Sequence, residues 1–478
     1  MKKIVAILCL LAMVLPLAAC SSGLATEDTN AETREEIKKT EEAEEKGEIV
    51  YPGSFAVGYA AGDITGTLPI PIFDEIGTSL ADPLMLTCTA VWDGKTAVLL
   101  MSADLRSMTN TTAERSAQII EKQFGIPKEN IIINCTHTHS APQGGEAGDN
   151  GSRWLSNYYK QLPIIVEKAL RDLDVVEGTY TGKGYTKNLC FVRRYLMPDG
   201  TYKTNPGSQT VVAHETEADP ELRTIRIDRK NKKDILMVNY QTHYVGGIGA
   251  GKVSADFVGP FRVSAEKEFD CHFVYHQGAG ANINFFSSIP GERIYNSYTE
   301  AADAFVATTK AALAKEEVIE VGEIKVVSRD LTVTVQKDPM ERVEAAQKVM
   351  AGSDQTELST LAAQYGFESW RAANSTLNRY SKGETEEMPL TAISFGEIAF
   401  ATAPIEMFDT NGKEVRDGSP FKTTFICSLT NGAMGYVPSA YAFPHGTYEV
   451  LACAYVPGTG EQISGELVKM LNECKSAS

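Results

Sequence analysis

The stretch Ile131-Ile-Ile-Asn-Cys-Thr-His-Thr-His-Ser-Ala-Pro142 constrains the fold more than any other part of this chain. Its short β-branched run reads as a buried strand, which delivers two histidines before Pro142, Gly144 and Gly145 end it. A buried strand with chemistry at its end is the pattern of α/β folds, whose sites lie at the carboxyl ends of strands. If the segment stays extended, His137 and His139 face the same side. The pattern recurs. Ile235-Leu-Met-Val-Asn-Tyr-Gln-Thr-His243 runs into the glycine-rich loop Gly246 to Gly251, and the apolar run at 272–275 opens into Gln277-Gly-Ala-Gly-Ala-Asn-Ile-Asn284.

Periodicity and turn chemistry supply the intervening elements. Residues 84–103 read as a hairpin around Asp93-Gly94. A helix is expected from Thr111 to Phe124, with Thr111 and Glu114 as a capping box and Gly125 and Pro127 as the stop. Further helices are expected at about 154–173, 294–315, 340–351, 356–374 and 462–474. Strands are expected at 222–229, 234–242, 391–403 and 423–429, with strand and turn at 176–200. The polar region 340–388 reads as an insertion or a lid. The sum is an α/β fold with mixed β-sheets flanked by helices, in one large domain over 51–478, with its active site at strand ends.

The N-terminus is a different kind of signal. Lys2-Lys3, the apolar run Ile4 to Pro16 and Leu17-Ala-Ala-Cys20 have the layout of a secretory signal peptide over 1–19. The run is too short to span a bilayer stably. A cysteine directly after Leu-Ala-Ala resembles the bacterial lipobox, which implies lipidation of Cys20 and a membrane-anchored lipoprotein of the bacterial envelope or cell surface. Residues 21–49 hold ten acidic and four basic residues, and their only aliphatic groups larger than alanine are Leu24, Ile37 and Ile49. That composition suits a spacer over 20–50.

Seven cysteines follow Cys20, an odd number without a CxxC pair. This argues against a disulfide framework or a structural zinc knot, and most of the seven sit in apolar runs as small hydrophobes. A net charge of -17 excludes nucleic acid as a partner, because a phosphate backbone requires a basic footprint.

Several motifs, in order, carry a resemblance. Thr136-His-Thr-His-Ser-Ala-Pro142, Thr242-His243 with Val253-Ser-Ala-Asp256, Ala403-Pro-Ile-Glu406, Gly435-Tyr436-Val-Pro and Thr447-Tyr448-Glu449 together resemble the neutral ceramidase family of zinc-dependent amide hydrolases. Gly58-Tyr-Ala-Ala-Gly-Asp-Ile-Thr65 is similar to its opening strand, so the resemblance covers roughly 54–475. It implies one zinc held by His137, His243, Glu406 and Tyr436, with an open position for the water that attacks an amide carbonyl. It places His139 and Tyr448 beside the substrate, as donors to the oxyanion or the leaving amine, and Arg193 in the lining, with Arg194 as the alternative match. Where the family carries a catalytic serine this chain has Asn284, which leaves a zinc-water route with Asn284 as a hydrogen-bond donor. The implied substrate is an N-acyl lipid such as a ceramide. A zinc amidase or esterase for another small substrate, and a lipoprotein that binds a ligand without turnover, are the competing readings.

Overall fold

The structure is a computed structural model that describes residues 48–72, 75–146, 148–243, 248–292 and 294–476. The signal peptide, Cys20 and the acidic spacer up to residue 47 lie outside the described residues, as do 244–247 of the glycine-rich loop. The chain divides between Val50 and Tyr51, and the unit Tyr51–Ser478 carries the fold.

The first sheet contains β1 (Ala56–Asp63), β2 (Met85–Trp92), β3 (Ala97–Ala103), β4 (Ile131–Cys135), β5 (Asp174–Tyr185), β6 (Glu221–Arg229), β7 (Ile235–Tyr240) and β8 (His272–Gln277). Their spatial order is β8-β7-β6-β5-β1-β2-β3-β4. The middle of this sheet is antiparallel, but each edge is a parallel pair. Parallel neighbours need a crossover, and helices provide it: α1 (Asn110–Phe124) joins β3 to β4, while α2 (Gly148–Arg171) follows β4 and packs on β1 and β2. At the other edge α3 (Val258–Phe269) joins β7 to β8, and α4 (Tyr298–Leu313) follows. At Gly58 a Cβ would lie 2.1 Å from the Ala169 carbonyl oxygen, so only glycine lets α2 approach β1 this closely.

A second sheet has the order β9 (Ile324–Thr334), β10 (Thr385–Phe395), β11 (Ile398–Thr402), β12 (Thr423–Cys427). The helices α5 (Met340–Val349), α6 (Gln355–Gln364) and α7 (Trp370–Ser381) are inserted between β9 and β10. α8 (Asp409–Asp417) crosses between the parallel strands β11 and β12, and α9 (Tyr448–Ala452) and α10 (Thr459–Ser476) complete the chain. The two sheets share one core: Val57, Leu100, Ile225 and Val274 pack with Ile393, Phe395, Phe400 and Phe425. The outer faces are covered by helices, through Phe261 and Phe305 on one side and Ile463, Leu467 and Met470 on the other. Each such side chain contributes roughly 1.5–3 kcal/mol on burial. The result is a helix–sheet–sheet–helix sandwich.

Two buried asparagines align the strand ends. Asn134 Oδ1 on β4 accepts from the Gln277 N–H at 2.7 Å, and its Nδ2 donates to the Ser428 carbonyl at 2.5 Å. Asn239 on β7 exchanges hydrogen bonds with the backbone of Ile426 on β12, at 2.8 and 3.0 Å. The carboxyl ends of β4, β7, β8 and β12 are thereby stitched together.

The α/β class and the strand-end histidines stand as read from the sequence, with four local corrections. Thr109, not Thr111, caps α1, accepting from the Thr112 N–H. The helix expected at 356–374 is two helices broken around Gly366, whose φ of +73° suits glycine. The strand expected at 391–403 is the hairpin β10–β11, reversed at Gly396 with φ +68°. His137, at φ +65°, has left the strand, so simple alternation does not set the direction of the two imidazoles.

Candidate metal centre

The chain leaves β4 in a pinned turn. The Thr136 and His137 N–H groups donate to the carbonyls of Ala103 and Leu105, both at 2.9 Å, and the Thr138 hydroxyl donates to the Ser254 carbonyl at 2.7 Å. The left-handed backbone at His137 is strained for a residue with a Cβ, and strain of this kind concentrates at functional sites. Its ring is also fixed. His137 Nδ1 lies 2.7 Å from the Arg106 carbonyl oxygen, which can only accept, so the proton is on Nδ1 and Nε2 turns a lone pair inward.

Two further imidazoles meet that lone pair. His139 Nε2 is 3.4 Å from His137 Nε2 and 3.0 Å from His243 Nε2. Three histidine nitrogens thus gather within 4.8 Å of one another. Burial, followed by the nearby His137, Arg106 and Arg193, holds His139 well below the ordinary histidine range. Burial and then Arg193 do the same for His243. Both are neutral at pH 7, as metal ligation requires.

The oxygen donors arrive by strand pairing. Glu406 and Tyr436 are opposite partners in a short parallel ladder, which sets them side by side. Glu406 Oε2 is buried, lies 3.4 Å from His137 Nε2 and makes no well-formed hydrogen bond. Burial pushes the Glu406 carboxyl up, but His137 and Tyr436 outweigh it and leave it below its usual value. Tyr436 is held far above 10, chiefly by burial and then by Glu406, so it is a neutral phenol in this state. The Tyr448 ring packs on Tyr436 with centroids 5.3 Å apart.

Arg193 borders the cluster. Its Nη2 donates to the Tyr436 hydroxyl at 3.2 Å and its Nη1 lies 3.3 Å from His243 Nδ1. A guanidinium only donates, so this contact puts the His243 proton on Nε2, directed at His139. A metal here requires that proton to move to Nδ1 and the long Arg193 contact to open. The residues otherwise fit a metal ion: a preset lone pair on His137, a buried carboxylate oxygen without a hydrogen bond, and a phenol beside it. A carbonyl fixing the far nitrogen of a ligating histidine is the usual outer-shell arrangement.

Of the residues singled out in the sequence, His137, His139, His243, Glu406, Tyr436, Tyr448 and Arg193 are brought together. His139 belongs to the nitrogen cluster itself rather than standing apart from it. Arg194 turns away to Glu215, at 2.5 and 2.9 Å, and to Glu449. Asn284 is buried beside the cluster, with its amide on Asn205 at 2.6 Å; with the amide turned over it donates to the His243 carbonyl at 3.3 Å. Two contributors escaped the sequence reading. The Arg106 carbonyl is a backbone group with no side-chain signature. Glu449, 0% exposed, accepts from Arg193 at 2.8 Å and Arg194 at 3.0 Å, and its only signal was its place in Thr447-Tyr448-Glu449.

No family model and no curated protein matches the sequence. Solved structures do. A ceramidase complexed with C2 aligns at 14% identity with a TM-score of 0.68, covering 89% of this chain and 76% of that one. The chain has the neutral ceramidase fold. A neutral ceramidase from Pseudomonas aeruginosa aligns equally well, at 14% identity and TM-score 0.67, covering 89% of this chain and 75% of its own.

Proposed function

We propose that this protein is a zinc-dependent hydrolase of an N-acyl amide bond, with a ceramide-like lipid as its first candidate substrate. The observation that carries the reading is the meeting of three imidazole nitrogens with the buried Glu406 carboxylate at the strand ends of a ceramidase-like fold. Both solved relatives are ceramidases by description. His137, His243, Glu406 and Tyr436 would hold the ion, since imidazole nitrogen and carboxylate oxygen are ordinary zinc ligands. When bound, zinc supplies Lewis-acid polarisation to a water or a carbonyl.

The chain's own groups do the rest. His139 is neutral and less buried than His137 and His243, so it can accept a proton from the attacking water and return it to the departing amine. Tyr448 keeps its proton because burial raises its pKa, and it can donate to the carbonyl oxygen as negative charge develops there. Arg193 holds the Tyr436 oxygen in place. Asn284 offers no nucleophile, so water is the attacking group and the products are a carboxylate and an amine.

A panel of N-acyl substrates assayed with and without a chelator tests this function. Hydrolysis abolished by chelation and restored by zinc is the expected result, and hydrolysis indifferent to the chelator contradicts the proposal. Anchoring through a lipidated Cys20 is part of the same reading and rests on the lipobox resemblance. Among the described residues no helix is long and apolar enough to cross a membrane. Cys20→Ala should move the protein from the membrane fraction to the soluble one, and unchanged fractionation would rule out the anchor.

A further inference from the structure

The carbonyl of Arg106 fixes the His137 ring, but its side chain has no part in the chemistry described so far. The backbone of this residue is clamped on the site. The Arg106 N–H donates to the Pro142 carbonyl at 3.1 Å, and the Arg106 carbonyl oxygen lies 2.7 Å from His137 Nδ1. Residue 106 is thus tied to both ends of the turn that carries His137 and His139. Its side chain is half-buried, so it belongs to the lining of the centre and not to the core.

Four groups of the centre locate the guanidinium. Burial is the largest influence on each of them, and the Arg106 charge adds to it. That charge favours the ionised forms of Glu406 and Tyr448 and disfavours protonation of His139 and His243. These groups come from the turn after β4, the loop after β7, the ladder of Glu406 with Tyr436, and the start of α9. A cation that acts on all four stands where they converge.

Arg193 borders the same cluster, with its Nε on Glu449 at 2.8 Å and its Nη groups on Tyr436 and His243. Both guanidiniums oppose protonation of His139 and His243, so the field at the imidazoles is positive. A neutral amide draws no benefit from that field. A substrate carboxylate does, because a guanidinium fork matches a carboxylate bidentately and with charge assistance. We propose that Arg106 is a specificity residue, and that the preferred substrate is an N-acyl lipid with a carboxylate beside the scissile amide, as in a long-chain N-acyl amino acid. The proposal rests on the amide-hydrolase reading above and names the class of amide.

Three substrates assayed on the metal-loaded full chain test this. They are N-dodecanoylglycine, the neutral N-dodecanoylethanolamine, and the dodecylamide of succinic acid, which carries its carboxylate on the acyl half. Wild type should show kcat/KM about tenfold higher for one of the acidic amides than for the neutral one, a preference that shrinks as salt is raised. Whichever acidic amide is favoured shows which half of the substrate faces Arg106. Arg106→Gln should close the gap to within about threefold, whereas Arg106→Lys, which keeps the charge but not the fork, should retain part of it. Calorimetric titration with the ketone analogues, in which a methylene replaces the amide N–H, gives a readout without turnover. The favoured acidic analogue should bind wild type about tenfold more tightly than the neutral one, and Arg106→Gln should erase the difference. A wild type indifferent to the carboxylate would overturn the proposal. So would equal losses on acidic and neutral substrates in a folded Arg106→Gln, which would mean that Arg106 only balances Glu406. Should Arg106→Gln fail to fold, the wild-type comparison and Arg106→Lys decide. If no amide is hydrolysed at all, the hydrolase reading fails, while the titrations still decide whether a carboxylate is recognised.

Discussion

Removing Glu449 should be among the most damaging single changes available to this protein outside the proposed metal ligands. The carboxylate is 0% exposed and accepts from Arg193 at 2.8 Å, Arg194 at 3.0 Å and the Thr204 hydroxyl at 2.7 Å. Burial pushes its pKa up, yet the two guanidiniums and Thr204 outweigh burial and hold it below the usual glutamate value. In Glu449→Ala the two arginines fare differently. Arg194 keeps both hydrogen bonds to Glu215, whereas Arg193, 2% exposed, is left with only Tyr436 and His243. One stranded buried charge costs about 3–5 kcal/mol, so that is the expected loss in a urea titration, not twice it. Because the freed Arg193 also loses its direction toward Tyr436, kcat/KM should fall along with stability. The double variant Arg193→Met, Glu449→Leu strands no charge and should be more stable than Glu449→Ala while remaining poorly active. A cost under about 1 kcal/mol for Glu449→Ala, or a double variant no more stable than the single one, would refute the argument.

His276 sits on β8 with Phe400 and Phe425 rings 5.6 and 6.1 Å away, neither ring nitrogen is hydrogen-bonded, and burial lowers its pKa to about 3. Its folded pKa is therefore below its unfolded value, so its contribution to stability is present above about pH 6.5 and is lost as pH falls toward 3, with a slope approaching about 1.4 kcal/mol per pH unit. His276→Phe should flatten that limb in denaturant titrations between pH 6 and pH 4, and an unchanged slope would contradict it. At Gly396, with φ +68°, an added Cβ would meet the Glu320 carbonyl oxygen at 2.2 Å. Gly396→Ala should therefore lower stability by at least about 2 kcal/mol, and a thermal melt matching wild type would show that the β10–β11 turn is not so constrained.

Much of the fold could be read from apolar periodicity. The runs before His137 and His243 are buried strands, and turn residues such as Asp93-Gly94 lie at a hairpin as expected. What was less legible depends on tertiary context. The reversal at Gly396 lies within a run apolar enough to read as one strand, and the break at Gly366 lies within a run that reads as one helix. The direction of the imidazoles follows from the strained turn at His137 and from the Arg106 carbonyl, neither of which is a side-chain signal. The asparagines at 134 and 239, which align the strand ends, look in the sequence like polar interruptions of apolar runs. Their role is visible only when Gln277, Ser428 and Ile426 are beside them. Motif order supplied the candidate ligands, and the short pairing of residue 406 with residue 436 explains why they lie side by side.

The central claim is that His137, His243, Glu406 and Tyr436 hold one zinc. Metal analysis of the protein purified without added metal tests it most directly, comparing wild type with His137→Ala at equal helix and sheet content. The expected result is about one zinc per chain in wild type and a loss of most of it in the variant. A folded wild type that is free of metal and still hydrolyses an N-acyl amide would contradict the claim.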